Sequence, residues 1–170
     1  MAGQLLQVAT NTVSSAVASV TLTGIDSDDV YLIAVNNATP SVDTNELRMR
    51  FTVSGTAQTT SNYDWSAVRL RSSTSFTNDN DINQTGTRAL DNVGNGTGEN
   101  ANAIYYLYNF NNSSEYSFAT MEVSGHNGSE NRGFQGGTVY TVAEAHDGVQ
   151  FYNHQGNNIS SGTFTLYKVV

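Results

Sequence analysis

Apolar residues in this chain recur with a period of two, and nowhere do they sustain a 3.6-residue stripe. That single feature excludes a helical core and calls for strands with one face buried. Leu47, Met49, Phe51 and Val53 alternate with Arg48, Arg50 and Thr52, the spacing of a half-buried strand in an antiparallel sheet. Similar runs cover Gln4 to Val8, Ala16 to Thr23, Val30 to Asn36, Tyr63 to Arg71, Ala103 to Phe110, Tyr116 to Ser124, Thr138 to Ala143, Val149 to Tyr152 and Thr163 to Val169. Between them stand turn formers: Gly55, Asn78 to Asp81, Gly94 to Gly98, Asn111 to Ser114 and Asn127-Gly128, residues that accept positive φ or close Asx turns. At 170 residues the chain is the size of one domain,. The expected fold is all-β: a single-domain antiparallel β-sandwich, jelly-roll-like in its strand number and spacing.

Two runs are apolar on both faces, Val30 to Val35 and Ile104 to Tyr108. They suit central strands of packed sheets, or strands covered by a neighbouring subunit. The second reading leads to an expected homotrimer. Residues 1–10 hold Leu5, Leu6 and Val8 ahead of polar Thr10 to Thr12. They read either as a docking arm added to a neighbour's sheet edge or as the first strand of a sandwich over 11–170. From Ser72 to Asn102 large apolar residues are sparse, which fits a long decorated loop or a short edge strand at Thr87 to Leu90.

Charge narrows the partners. Fifteen acidic against seven basic residues give a net charge of −8, which repels phosphate backbones and anionic headgroups, so neither nucleic acid nor a membrane surface is an expected partner. No cysteine is present, so disulfides, thiolate metal sites and cysteine nucleophiles drop out. The N-terminus has no basic leader and no long apolar run, so no export by a signal peptide is expected. No G-x-S-x-G marks a nucleophile elbow, and Gly94 to Gly98 lacks the spacing of a dinucleotide loop,. A calcium loop beginning at Asp79 would place Gln84 where glycine is needed and Leu90 where a bidentate glutamate is needed,. Looser oxygen cages at Asp79 and Asp81, or at Asp26, Asp28 and Asp29, stand against solvated turn carboxylates. His126, His146 and His154 lie in or beside loops without a metal-binding pair,. No catalytic residue, metal or cofactor is expected, and the chain does not read as an enzyme. Nine tyrosines and Trp65 would serve a sugar-binding platform, although Tyr31, Tyr105, Tyr106, Tyr108 and Tyr167 fall where strand packing also favours aromatics.

Arg48, Arg50, Arg69 and Arg71 form two i, i+2 pairs on candidate strands. If those strands are neighbours, the guanidiniums gather on one sheet face. They then offer either a basic patch for an acidic partner or cross-strand pairs with the chain's own carboxylates.

Three segments carry a resemblance: Leu5-Leu6-Gln7-Val8, Ser61 to Ser72 with Asn62-Tyr63-Asp64-Trp65, and Ser161 to Val169 with Leu166-Tyr167 followed by Lys168. In order and spacing they resemble a family of small β-rich virion proteins of tailed bacteriophages, capsid decoration or tail components. Lys168 stands where that family usually has glycine. The resemblance implies a jelly-roll-like sandwich that binds the outside of the capsid, with the major capsid protein and its own copies as partners. It also implies a homotrimer cementing the capsomers, residence on the virion after synthesis in the bacterial host cytoplasm, and no catalytic residues. The alternative it carries is a tail-fibre or receptor-binding head that recognises host surface glycans. Under the decoration reading, Leu5, Leu6, Val8, Arg48, Arg50, Arg69 and Arg71 are the expected partner-binding residues.

Overall fold

The computed structural model describes residues 3–170, and every described element is a β-strand. In chain order the strands are β1 Leu5–Val13, β2 Ser19–Thr23, β3 Tyr31–Pro40, β4 Asn45–Val53, β5 Thr56–Ala57, β6 Tyr63–Arg71 and β7 Thr77–Gln84. They continue with β8 Thr87–Val93, β9 Ala101–Tyr108, β10 Ser117–His126, β11 Asn131–Tyr140, β12 Gly148–Asn153 and β13 Ile159–Val169. They form one eight-stranded sheet, β1-β13-β3-β9-β10-β11-β6-β7, and a smaller one, β2-β12-β4, whose far side carries β5 and β8. All pairings are antiparallel.

The pairing is nested. β1 pairs β13, β2 pairs β12, β3 pairs β9 and β4 pairs β8, as when one long antiparallel hairpin is rolled up. The two half-sheets β1-β13-β3-β9 and β2-β12-β4-β8 are therefore those of a jelly roll. β6 and β7 are inserted between β4 and β8, and β10 and β11 between β9 and β12. The four inserted strands extend the larger sheet on one side only.

The segment 72–102 is not a long loop. It contains β7 and most of the chain to β9, including β8, which begins at the expected Thr87 but joins the smaller sheet beside β4. Its scarcity of apolar residues has a physical origin: β7 is an edge strand, and polar side chains of β8 are neutralised internally, as described below.

Burial follows the alternation. In β9 Ala101, Ala103, Tyr105 and Leu107 are buried, and Asn102, Ile104 and Tyr106 are exposed. β10 repeats this with Ala119, Met121 and Val123 inward. Between the sheets lies an aromatic layer. Phe51 of β4 meets Phe110 at 4.5 Å and Tyr63 at 5.4 Å between ring centroids, and Phe151 of β12 meets Tyr105 at 5.7 Å and Phe164 at 5.1 Å. Two hydroxyls buried in this layer have partners: Tyr63 accepts from the Phe51 amide and donates to the Gln58 carbonyl, and Tyr105 donates to the Ala89 carbonyl. Such satisfaction is the condition for burying tyrosine at all.

Candidate functional site

The four predicted arginines do not form one face. β4 and β6 lie in different sheets, so Arg48 and Arg50 are not cross-strand neighbours of Arg69 and Arg71. Arg48 is buried, with Nε donating to Glu46 at 2.7 Å and a second nitrogen to Gln84 at 3.3 Å. Arg50 stacks on Tyr152, 3.8 Å from the ring centroid, and donates to the Thr85 carbonyl at 2.8 Å. Arg69 and Arg71 point under the larger sheet toward β8, where Arg88 and Arg132 join them. Arg69 pairs with Asp79 and with Asp91 (3.4 Å), Arg71 with Glu130 (2.5 Å), Arg88 with Asp91 (2.7 Å) and Glu46 (3.2 Å), and Arg132 with Glu130 (2.7 Å) and Asp91 (3.3 Å). Arg71, with Ser73 and Arg132 beside it, holds the Glu130 carboxyl down to about 2.

The basic docking patch is thereby corrected: Arg48, Arg69 and Arg71 belong to an internal ion-pair layer. Strand periodicity cannot tell a solvated arginine from one that meets a carboxylate beneath the sheet. Lys168 is likewise committed, to Asp29 at 2.7 Å and Ser27 at 2.7 Å. With Arg50 on its tyrosine, all seven basic residues have a partner inside the chain. The unneutralised charge on the surface is therefore acidic.

These pairings also bear on the carboxylate cages. Asp79 is taken by Arg69 and Arg88, and Asp29 by Lys168; among the described residues no group of three or more His, Asp or Glu could hold a metal ion. His146 is not a surface histidine. It is buried among Phe51, Phe110 and Tyr140, with Nδ1 2.8 Å from Ser117 Oγ and Nε2 3.6 Å from Glu144. Ser117 has no exposed surface, so no substrate reaches its hydroxyl. Trp65, Tyr31 and Tyr105 are buried and take no part in a sugar platform.

Two features of the surface remain uncommitted. The first is the β1 edge. β1 pairs with β13 on one side only, closed at its end by two backbone bonds between Gln4 and Val170 of 2.6 and 2.9 Å. Residues 5–10 of the expected arm are thus part of the first strand of the larger sheet; residues 1 and 2 lie outside the described residues. Leu5 and Leu6 are 53% and 58% exposed and sit beside exposed Val169 and Val170. Val8 does not share that exposure, because it packs partly against the core. Leu-Leu-Gln-Val-Ala-Thr-Asn-Thr-Val carries no charge and no proline, two of the devices that blunt a sheet edge, and has a single break in register between Gln7 and Ala9,. The opposite edge, β7, carries Asp79 and Asp81.

The second is the outer face of the larger sheet. The doubly apolar strands β3 and β9 do lie side by side at its centre. Tyr106 screens Leu32, its cross-strand neighbour, while Ile104 and Tyr106 stay exposed. Toward the inserted strands the face sinks into a groove of about 870 Å³ bounded by Phe118, Val139, Ser66 and Asn80, with Gly136 and Gly137 at its floor. Phe118 and the groove were not among the expected site residues. The signal was present in the alternation of Phe118, Thr120, Glu122 and Ser124 against Ala119, Met121 and Val123, which sets Phe118 on the polar face. A second, smaller depression of about 570 Å³ adjoins Ala34, Ile104 and Glu122.

Comparison with protein-family models and with curated proteins gives no match to this chain.

Proposed function

We propose that the protein is a non-enzymatic virion structural protein, a capsid decoration or cement protein that binds the outside of an assembled bacteriophage shell. The observation that carries this reading is the β1 edge: nine residues of open strand without a charge, beginning with exposed Leu5 and Leu6. An uncharged edge is where a chain of net charge −8 meets a protein surface without desolvating carboxylates or opposing like charges. Main-chain hydrogen bonds to an extended segment of the major capsid protein supply affinity, and the two leucines fill its pockets. Ile104 and Tyr106 on the outer face give copies of the chain a contact for the homotrimer. A protein bound to the assembled shell and not to free capsomers stabilises the shell by mass action. The sequence resemblance to virion proteins supports the same reading.

The test is cosedimentation with shells that lack the protein. Wild type is expected to pellet with them and to raise their melting temperature. The double substitution Leu5→Asp, Leu6→Asp, at two exposed positions, is expected to keep the fold and lose the association. Because the contact is uncharged, binding is expected to change little between 50 and 500 mM salt. Association that survives the double substitution, or falls steeply with salt, refutes docking by this edge. A copy number in virions of a handful instead of hundreds refutes the shell location and favours a tail component.

A further inference from the structure

We propose that the groove over Gly137 is a binding site for a neutral saccharide, independent of the β1 edge and on the opposite half of the sheet. The register lays out its walls in rows. Phe118 pairs with Val139; one row on, Thr120, Gly137, Ser66 and Asn80 lie abreast; one row further, Glu122, which accepts from the Gln135 amide at 3.3 Å, and Gln135 lie beside Val68 and Asn78. Side chains on one face of a strand repeat at about 6.7 Å, so the aromatic row and the amide row stand about 13 Å apart, with the glycine between them. That spacing admits one or two pyranose rings lying on the floor.

Gly137 keeps the floor of the groove open. Its neighbour Gly136 is required by packing: a Cβ there would lie 2.3 Å from the Ser66 carbonyl oxygen and 2.6 Å from the Ala67 backbone. A Cβ on Gly137 would meet only the Ala119 carbonyl oxygen, at 3.2 Å. A glycine inside a strand weakens it, and Gly137, held by one close contact where Gly136 is held by several, leaves the floor open to close approach of a ligand or of another backbone,.

The chemistry of the walls selects among ligands. Phe118 is 43% exposed and presents a flat apolar ring. Ser66, Asn78, Asn80 and Thr120 make no side-chain hydrogen bond to any described residue, so their donors and acceptors are free. A few polar groups converging on an apolar ring are the usual make-up of a small-ligand site. With every basic side chain committed elsewhere, a net charge of −8 and Asp64, Asp79 and Asp81 in its lining, the groove has no counter-charge for a sulfated, phosphorylated or carboxylated ligand and repels one. Neutral hydroxyl-bearing rings satisfy both conditions.

The experiment is saturation-transfer NMR and calorimetry on the full chain with six neutral probes: maltopentaose, cellopentaose, xylopentaose, mannopentaose, chitotetraose and lacto-N-tetraose. Sialyllactose and a heparin hexasaccharide serve as anionic controls. At least one neutral probe is expected to bind at millimolar or tighter Kd and the anionic ones not at all. Phe118→Ala is expected to weaken that binding at least tenfold. Gly137→Val, which fills the floor with a strand-favouring residue, is expected to abolish it, and the Leu5, Leu6 double substitution to leave it unchanged. Melting temperature and near-ultraviolet circular dichroism establish that the variants are folded; if Gly137→Val is not, Gly137→Ser takes its place. Absence of binding by all six neutral probes, preference for an anionic one, or binding that survives both Phe118→Ala and the Gly137 variant overturns the proposal. So does loss of shell association in Phe118→Ala with no sugar bound, which makes the groove a protein contact. The edge reading fails independently, by the Leu5 and Leu6 substitutions alone.

Discussion

Replacing His146 tests the energetics of the aromatic core most directly. The ring is 1% exposed, its Nε2 has no hydrogen-bond partner, and burial pushes its pKa from 6.5 down to about 4. Asp147 opposes that shift only in part. The unfolded chain therefore takes up a proton on this residue at a pH where the folded chain does not, and stability falls as pH drops from above 6.5 toward 4. The gap corresponds to about 3 kcal/mol once both states are protonated, and to about 2 kcal/mol between pH 7 and pH 5. For a domain of this size 1 kcal/mol is about 2–4 °C in melting temperature, so this histidine accounts for a fall of about 4–8 °C. His146→Phe keeps a ring against Phe51 and Phe110, and Ser117 still donates to the Asn109 carbonyl. The variant is expected to lose that part of the pH dependence, seen as a shallower slope in urea unfolding between pH 7 and pH 5. An NMR titration of the wild-type ring C–H signals is expected to show no midpoint above pH 5. An unchanged slope in the variant, or a midpoint near 6.5 in the folded protein, refutes the reasoning.

The ion-pair layer gives two further tests. Arg48→Gln with Arg50→Gln is expected to cost about 1–3 kcal/mol, because Glu46 loses a buried partner and Tyr152 its cation, and to leave shell association intact; a normal melting temperature with lost association would restore the docking patch. Glu130, held down to about 2 by Arg71, Ser73 and Arg132, stabilises the fold above the ordinary glutamate range and loses that contribution as pH falls from about 4.5 toward 2. Glu130→Gln is expected to lower stability at pH 7 and to flatten the acid limb below pH 4.5, measured by thermal unfolding across pH.

Much of the architecture was legible in the chain because the period of alternation is local. Leu47, Met49 and Phe51 declare their buried face against Arg48 and Arg50 within a few residues, and the doubly apolar runs from Val30 and Ile104 announce two central strands, β3 and β9, which the fold then sets side by side in one sheet. Alternation reports which way a side chain points. It carries no mark of what waits there. The carboxylates that meet Arg69 and Arg71 come from β7, β8 and the residue before β11, so a partly buried ion-pair layer has the same polar pattern as a solvated face. His146 looked like a loop residue because it is one; only the fold carries its loop across the aromatic layer. Partner choice lies further still from the local signal: Leu5 meets Val169 and Leu47 meets Leu90, pairings set by the closure of nested strands around one core. The groove over Gly137 exists only because the inserted strands, far apart along the chain, lie side by side in one sheet. Local periodicity thus determined the class of the fold and the buried faces, while long-range strand closure decided which polar residues are neutralised and which stay open to a ligand.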